Sequence, residues 1–267
     1  MALRDTVGDV LRGYDEHDVL TFAGALALRI LFAVIPLTLF GLGLLGGLGL
    51  EDQWSREWAR QVRDSVSPDV FRVIDDTVRR VLGERQTFWM TAGLAIAVWE
   101  ISGGMRAIMD VLDRIYGASR KRAMWERLRV SLLLGLGVAV LLLAAVASAM
   151  LGDDLLRAVG LDTPLLTWLR WPVAVALLCT VVSLLVAYAP VDRRPLRLIS
   201  RGTALAVLAW LGSSLALGWY LTDVADYGSI FGALATVWIA LTYAYVASTA
   251  FLTGVELDAL IEAQPAR

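Results

Sequence analysis

Six stretches of this chain, roughly 20–50, 87–105, 130–151, 165–189, 202–222 and 230–257, are long and apolar enough to cross a bilayer. A span needs about 20 mostly apolar residues. In hydrocarbon every backbone polar group must be satisfied within the protein, so six such stretches predict an all-α polytopic membrane protein. The first and sixth stretches exceed a perpendicular crossing, which tilt or extension past the bilayer accommodates. The composition agrees: 58% of residues are hydrophobic and 19% charged, against about 45–50% and about 25% in soluble domains.

Removing the spans leaves little for a second domain. The longest remainder, 51–86, is too short to build a core of its own. The expected layout is an amphipathic N-terminal segment over 1–19, one six-helix membrane domain over 20–260 and a short tail over 261–267. Within 1–19, Leu3, Val7, Leu11 and Tyr14 recur at helical spacing, which predicts an interfacial helix. The acids Asp5, Asp9, Asp15, Glu16 and Asp18 stand where a cleavable signal would be basic. Within 51–86, Trp54, Trp58, Val62 and Val66, then Val70, Ile74 and Val78, step by four on either side of Pro68. Two amphipathic helices are predicted there, resting on the membrane surface or the bundle rim.

Arginine placement sets the expected orientation. Between spans 2 and 3 stand Arg106, Arg114, Arg120, Lys121, Arg122, Arg127 and Arg129; between spans 4 and 5 stand Arg193, Arg194 and Arg197, with Arg201 at the edge. The loop 152–164 has only Arg157, and 223–229 has no basic residue. Both termini are therefore expected in the cytoplasm and 51–86 outside it.

Several chemistries are disfavoured at the outset. The net charge of −2 offers no basic excess for nucleic acid. One cysteine, Cys179, allows no internal disulfide, and one histidine, His17, allows no His/Cys metal cluster. No Ser/His/Asp set or GxxxxGK[ST] phosphate loop is present, so neither catalytic residue, metal nor cofactor is expected.

Ionisable and polar residues inside the spans are the functional candidates, because they are costly there. Arg29 lies on one face of span 1 with Pro36, whose ring frees the carbonyl of Phe32. Arg29 either serves an anion or snorkels to headgroups. Glu100 stands on a small-residue stripe of Gly93, Ala97, Gly104 and Ala107, which predicts close helix approach and an interior position. Its depth matches that of Arg29, so an Arg29–Glu100 ion pair is expected, for packing or for function. On span 6, Thr242, Tyr245, Thr249, Thr253 and Glu256 form one polar face, either a pathway lining or a hydrogen-bonded seam. If the face is a seam, the arginines near 193–201 are the expected partners of Glu256; if it lines a pathway, Glu256 is expected to be solvated from the cytoplasm. Beyond span 2, Arg106, Asp110 and Arg114 at i, i+4 spacing predict a cytoplasmic helix extension carrying its own ion pairs.

Four blocks together carry a family resemblance: AGALALRILFAVIPLTLF (23–40), WEISGGMRAIMDVLDRIYG (99–117), YAPVDRRP (188–195), and the run from RGTALAVLAWLGSSLALGWYL (201–221) through FGALATVWIALTYAYVASTAFLTGVELDAL (231–260). In this order they resemble the YihY/BrkB family of bacterial inner-membrane proteins. Asp113 and Asp258 stand where asparagine is usual, and Val255 where alanine is. The resemblance implies six transmembrane helices with both termini inside. It supplies no settled activity: members have been called serum-resistance (virulence) factors, transporters and, by misassignment, a ribonuclease. Two functions are expected to compete. One is transport of a small polar or anionic solute or a lipid headgroup through an interior bearing Arg29, Glu100 and the Glu256 face. The other is a non-transporting scaffold for envelope assembly or stress resistance. The bilayer is the one partner the sequence requires, and a homo-oligomer is compatible with it.

Overall fold

The computed structural model describes residues 3–47, 72, 75, 76, 86–118, 120, 122–158, 164–220 and 232–263. All regular elements among them are helices: α1 (Leu3–Glu16), α2 (Val19–Gly47), α3 (Gln86–Ile115), α4 (Met124–Ala158), α5 (Pro164–Tyr188), α6 (Arg201–Trp219) and α7 (Gly232–Ala263). Each of α2 to α7 contains a segment long and apolar enough to cross a membrane. The expected insert 51–86 lies almost wholly outside the described residues. The expected tail from 261 gives way to helix, since α7 runs to Ala263.

Local chemistry explains where the helices stop. Asp18 adopts a left-handed backbone, φ 54°, which an aspartate tolerates better than most residues; it separates α1 from α2. Gly117, φ 62°, ends α3: its N–H donates to Arg114 O at 3.0 Å and the Ala118 N–H to Asp113 O at 2.8 Å. This is the paired Schellman arrangement, and glycine takes the left-handed position without a Cβ penalty. Ser200 caps α6, its hydroxyl accepting the Thr203 N–H at 2.9 Å. Beyond α5 the Arg122 guanidinium donates to the carbonyls of Tyr188, Ala189 and Pro190 at 3.2, 2.8 and 2.7 Å. A cation there both fills orphan acceptors and opposes the helix dipole.

Each helix from α2 to α6 packs on the next, α6 packs on α7, and α7 returns to α2, so the contacts close a circuit. Large apolar side chains such as Leu133, Leu143, Leu208, Leu215 and Trp238 remain exposed, as lipid-facing surfaces require. Glycine permits two close crossings. A Cβ on Gly93 would lie 2.7 Å from Phe40 N and 3.1 Å from Pro36 O, so α3 meets the α2 backbone beside its proline. Gly202 and Gly254 face one another where α6 crosses α7. Along the α3 stripe the spacing expectation stops short of Gly104, where a Cβ would meet nothing within 4 Å; neighbouring Gly103 is the residue against α2.

Candidate functional site

Polar groups gather at the end of the bundle that holds α1, the Gly117 turn, the 189–200 segment and the end of α7. Glu256 on α7 is 1% exposed. Its only hydrogen-bond partner among the described residues is His17, whose Nδ1 lies 3.1 Å from each carboxylate oxygen. Gly13 makes this possible, because a Cβ there would sit 1.9 Å from Glu256 Oε1. One α1 residue further on, the Tyr14 hydroxyl donates to Thr253. The α1 helix is thus docked on α7 by Gly13, Tyr14 and His17. Tyr14 was expected on the apolar face of this helix with Leu3, Val7 and Leu11, but Gly13 and His17 were not, and nothing in the sequence said which helix would receive them.

The rest of the α7 polar face is satisfied locally. Thr253 donates to Thr249 O at 2.6 Å, Thr249 to Tyr245 O at 2.8 Å and Thr242 to Trp238 O at 2.9 Å. The expected arginine partners of Glu256 are engaged elsewhere. Arg194 pairs with Glu262 at 2.6 Å and lies over the Tyr116 ring at 4.3 Å, while Arg197 is 3.9 Å from Glu262. Glu262 lies six residues beyond Glu256, nearer the 189–200 segment, and so intercepts them. Burial raises the Tyr116 hydroxyl well above its ordinary pKa.

The neighbouring α6–α7 crossing carries a second buried acid, Asp258, at a position sequence reasoning noted only as a departure from asparagine. It accepts the Gly202 N–H at 2.8 Å and the Ser200 hydroxyl. A carboxylate at this helix N-terminus is favoured by the orphan N–H groups and the dipole. Asp113 at the end of α3 accepts the Val191 N–H at 2.7 Å, tying α3 to the segment that follows α5. Between α5, the 195–203 segment and α7 lies a cavity of about 250 Å³, whose walls include Ser183, Arg197, Ser200, Arg201, Asp258 and Glu262. Arg201 has no ion-pair or hydrogen-bond partner among the described residues.

Two expected pairings are replaced. No ion pair joins Arg29 to Glu100 among the described residues; the Arg29 guanidinium lies against Gly103, one turn along α3, where the missing side chain leaves room. Nor do Arg106, Asp110 and Arg114 pair with one another among the described residues. Asp110 binds Arg127 of α4 and Arg114 binds Asp18 at 3.0 Å, while Arg106 donates to Ser102 Oγ of its own helix at 2.6 Å. Neighbouring elements offer Asp110 and Arg114 closer partners than each other, and Arg114 also lies over the Phe22 ring at 5.0 Å. No group of three or more His, Cys, Asp or Glu that could hold a metal occurs among the described residues.

Six membrane-length helices in a closed circuit, with charged and hydroxyl groups concentrated at one end, define a multi-pass α-helical membrane protein. Sequence comparison then fixes the family: the chain belongs to the family described as virulence factor BrkB, whose profile matches residues 10–267. It is 24% identical over 256 residues to the ribonuclease-like protein YfkH of Bacillus subtilis (strain 168), covering 93% of this chain and 92% of that protein. It is 27% identical over 249 residues to the UPF0761 membrane protein azo3165 of Azoarcus sp. (strain BH72), covering 90% of this chain and 59% of the relative. No solved structure matches.

Proposed function

We propose that this protein moves a small polar or anionic solute, or a lipid headgroup, across the bacterial cytoplasmic membrane, and that the solute engages the polar end of the bundle. The observation that carries this reading is the cavity of about 250 Å³, whose wall holds Arg201, without an ion-pair or hydrogen-bond partner among the described residues, and Arg197, held only at 3.9 Å from Glu262. Arginine presents a fixed fork of donors to an oxyanion, and an unpaired one beside a cavity retains that capacity. Proteoliposomes of the full chain test it, with fluorescent headgroup-labelled phospholipid and an anion tracer as cargo. Wild-type vesicles should exceed protein-free vesicles in one of the two fluxes. Arg201→Gln should lower that flux roughly tenfold, the loss of a charged hydrogen bond. Equal flux with and without protein would refute transport.

The second reading, a scaffold for envelope assembly, draws support from α7, where the threonines bond to their own helix and Glu256 is held by His17. That face is a hydrogen-bonded seam, and the proposed route does not run along it. An enzymatic role has less to stand on. The ribonuclease-like name belongs to a relative, and here His17 is committed to Glu256.

The polar end is proposed to face the cytoplasm, placing both termini there, because Arg114, Arg120, Arg122, Arg193 and Arg194 all fall at this end. In a Cys179→Ala background, Arg193→Cys should react with an impermeant maleimide only after the membrane is opened. Labelling of intact cells would reverse the orientation.

A further inference from the structure

Two arginines, Arg29 exposed and Arg106 half-buried, converge over Gly103 of α3. The Cβ that Gly103 lacks would lie 2.4 Å from Arg29 Nη1 and 3.8 Å from Arg106 Nη2, so the two guanidinium groups flank one point on α3. Arg29 has no hydrogen-bond or ion-pair partner among the described residues. Arg106 uses Nη1 on Ser102, which in turn lies 3.0 Å from Ser131 of α4, so its position is held from behind while Nη2 is directed to the shared point. Nearby carboxylates do not neutralise them: Asp110 is taken by Arg127, and Glu100 forms an ion pair with neither.

Although Arg106 was expected beyond span 2, both arginines fall within segments long and apolar enough to cross a membrane. Arg29 is ten residues into the segment that starts at Val19, and Arg106 is nine residues short of the end of the segment closing at Ile115. At 1.5 Å per residue both sit roughly 15 Å along their helices. Like charges this close repel, and each is expensive in a low-dielectric setting. A bound anion with at least two acceptor oxygens removes both costs together, each guanidinium taking one oxygen with charge-assisted hydrogen bonds.

We infer that Arg29 and Arg106, brought together over Gly103, bind a phosphate group, either of a phospholipid headgroup or of the free ion. Gly103 is part of the site, because a methyl there displaces the Arg29 guanidinium without altering any charge. The inference rests on the transport reading only for the idea that the group then moves; binding itself is measured independently of flux.

The experiment uses the full chain purified in detergent. One arm titrates inorganic phosphate against sodium chloride of equal ionic strength and follows the melting temperature. The other measures retention of phosphatidylglycerol, with diacylglycerol as the phosphate-free control, by native mass spectrometry. Wild-type protein should prefer the phosphate-bearing member in at least one arm; the first arm alone marks the free ion, and the second alone marks the lipid. Arg29→Gln and Gly103→Ala should each weaken that binding roughly tenfold. Gly104→Ala, at a position with nothing within 4 Å of its Cβ, should bind as wild type. Only monodisperse protein is compared, and Gly103→Ala keeps both charges should Arg29→Gln fail to fold. Absence of preference in both arms, or wild-type binding by Gly103→Ala and Arg29→Gln together, would overturn the site while leaving the flux assay to decide transport.

Discussion

Replacing Gly202 by alanine should cost the membrane domain about 3 kcal/mol, the upper end of what overpacking a close contact usually costs. The added methyl would fall 2.0 Å from Gly254 O and 2.5 Å from Asp258 Cγ. Neither neighbour can swing aside: one is backbone in the middle of α7, and the other is fixed by the Gly202 N–H and the Ser200 hydroxyl. The helices must therefore separate, and separation also strips Asp258 of its donors. Gly254→Ala should behave alike, with Gly202 O at 2.4 Å and the Ala206 Cβ at 2.6 Å from its methyl. Gly212→Ala is the internal control. It lies on the same helix with nothing within 4 Å, and it should be neutral or slightly stabilising, because glycine is the poorer helix former. Thermal unfolding in detergent and the yield of folded protein from membranes measure all three. A Gly202→Ala protein as stable as Gly212→Ala would mean that α6 and α7 do not cross here.

The second large effect belongs to His17. Removing one member of a buried pair typically costs about 3–5 kcal/mol, since the other is left buried without compensation. His17→Ala strands the Glu256 carboxylate, 1% exposed and without another hydrogen-bond partner among the described residues. Glu256→Gln keeps size and hydrogen-bonding capacity, so by itself it should cost less than His17→Ala. Combined with His17→Ala it should recover part of the loss, because an unpaired amide is cheaper to bury than an unpaired carboxylate. The full double-mutant cycle, read as melting temperatures, measures the coupling. Strict additivity would show that the two side chains do not meet.

What the sequence disclosed was depth, and what it withheld was azimuth. Six apolar runs locate six helices because hydrocarbon thickness imposes a length. The same ruler placed Arg29 and Glu100 at similar depth, yet which side of α3 Arg29 would meet depended on Gly103 against Glu100, three residues apart around the helix. Arginines 193–201 were reasonable partners for Glu256 along the membrane normal, but Glu262 lies nearer to them. His17 could not be found by any local rule. Its partner is 239 residues away, and periodicity within α1 says that a face exists without saying what it covers. The i, i+4 charges at the end of α3 mislead for the related reason that isolated-helix pairs are worth only about 0.2–0.5 kcal/mol. Asp18 and Arg127 outbid them with tertiary contacts.

The circuit in which α7 returns to α2 has a consequence for biosynthesis. A ribosome delivers α1 and α2 before α7, so α2 can pack on α3 early, but the contacts that α7 makes with α1 and α2 cannot form until the four intervening helices are made. Tyr14 waits for Thr253 as His17 waits for Glu256, both across 239 residues. Until then the faces of α1 and α2 that α7 will cover are open to chaperones and proteases, as incompletely packed intermediates generally are. Closure is therefore a late, long-range event of the kind that slows folding. A nascent chain stalled before α7 leaves His17 and Tyr14 without the Glu256 and Thr253 they meet in the folded bundle.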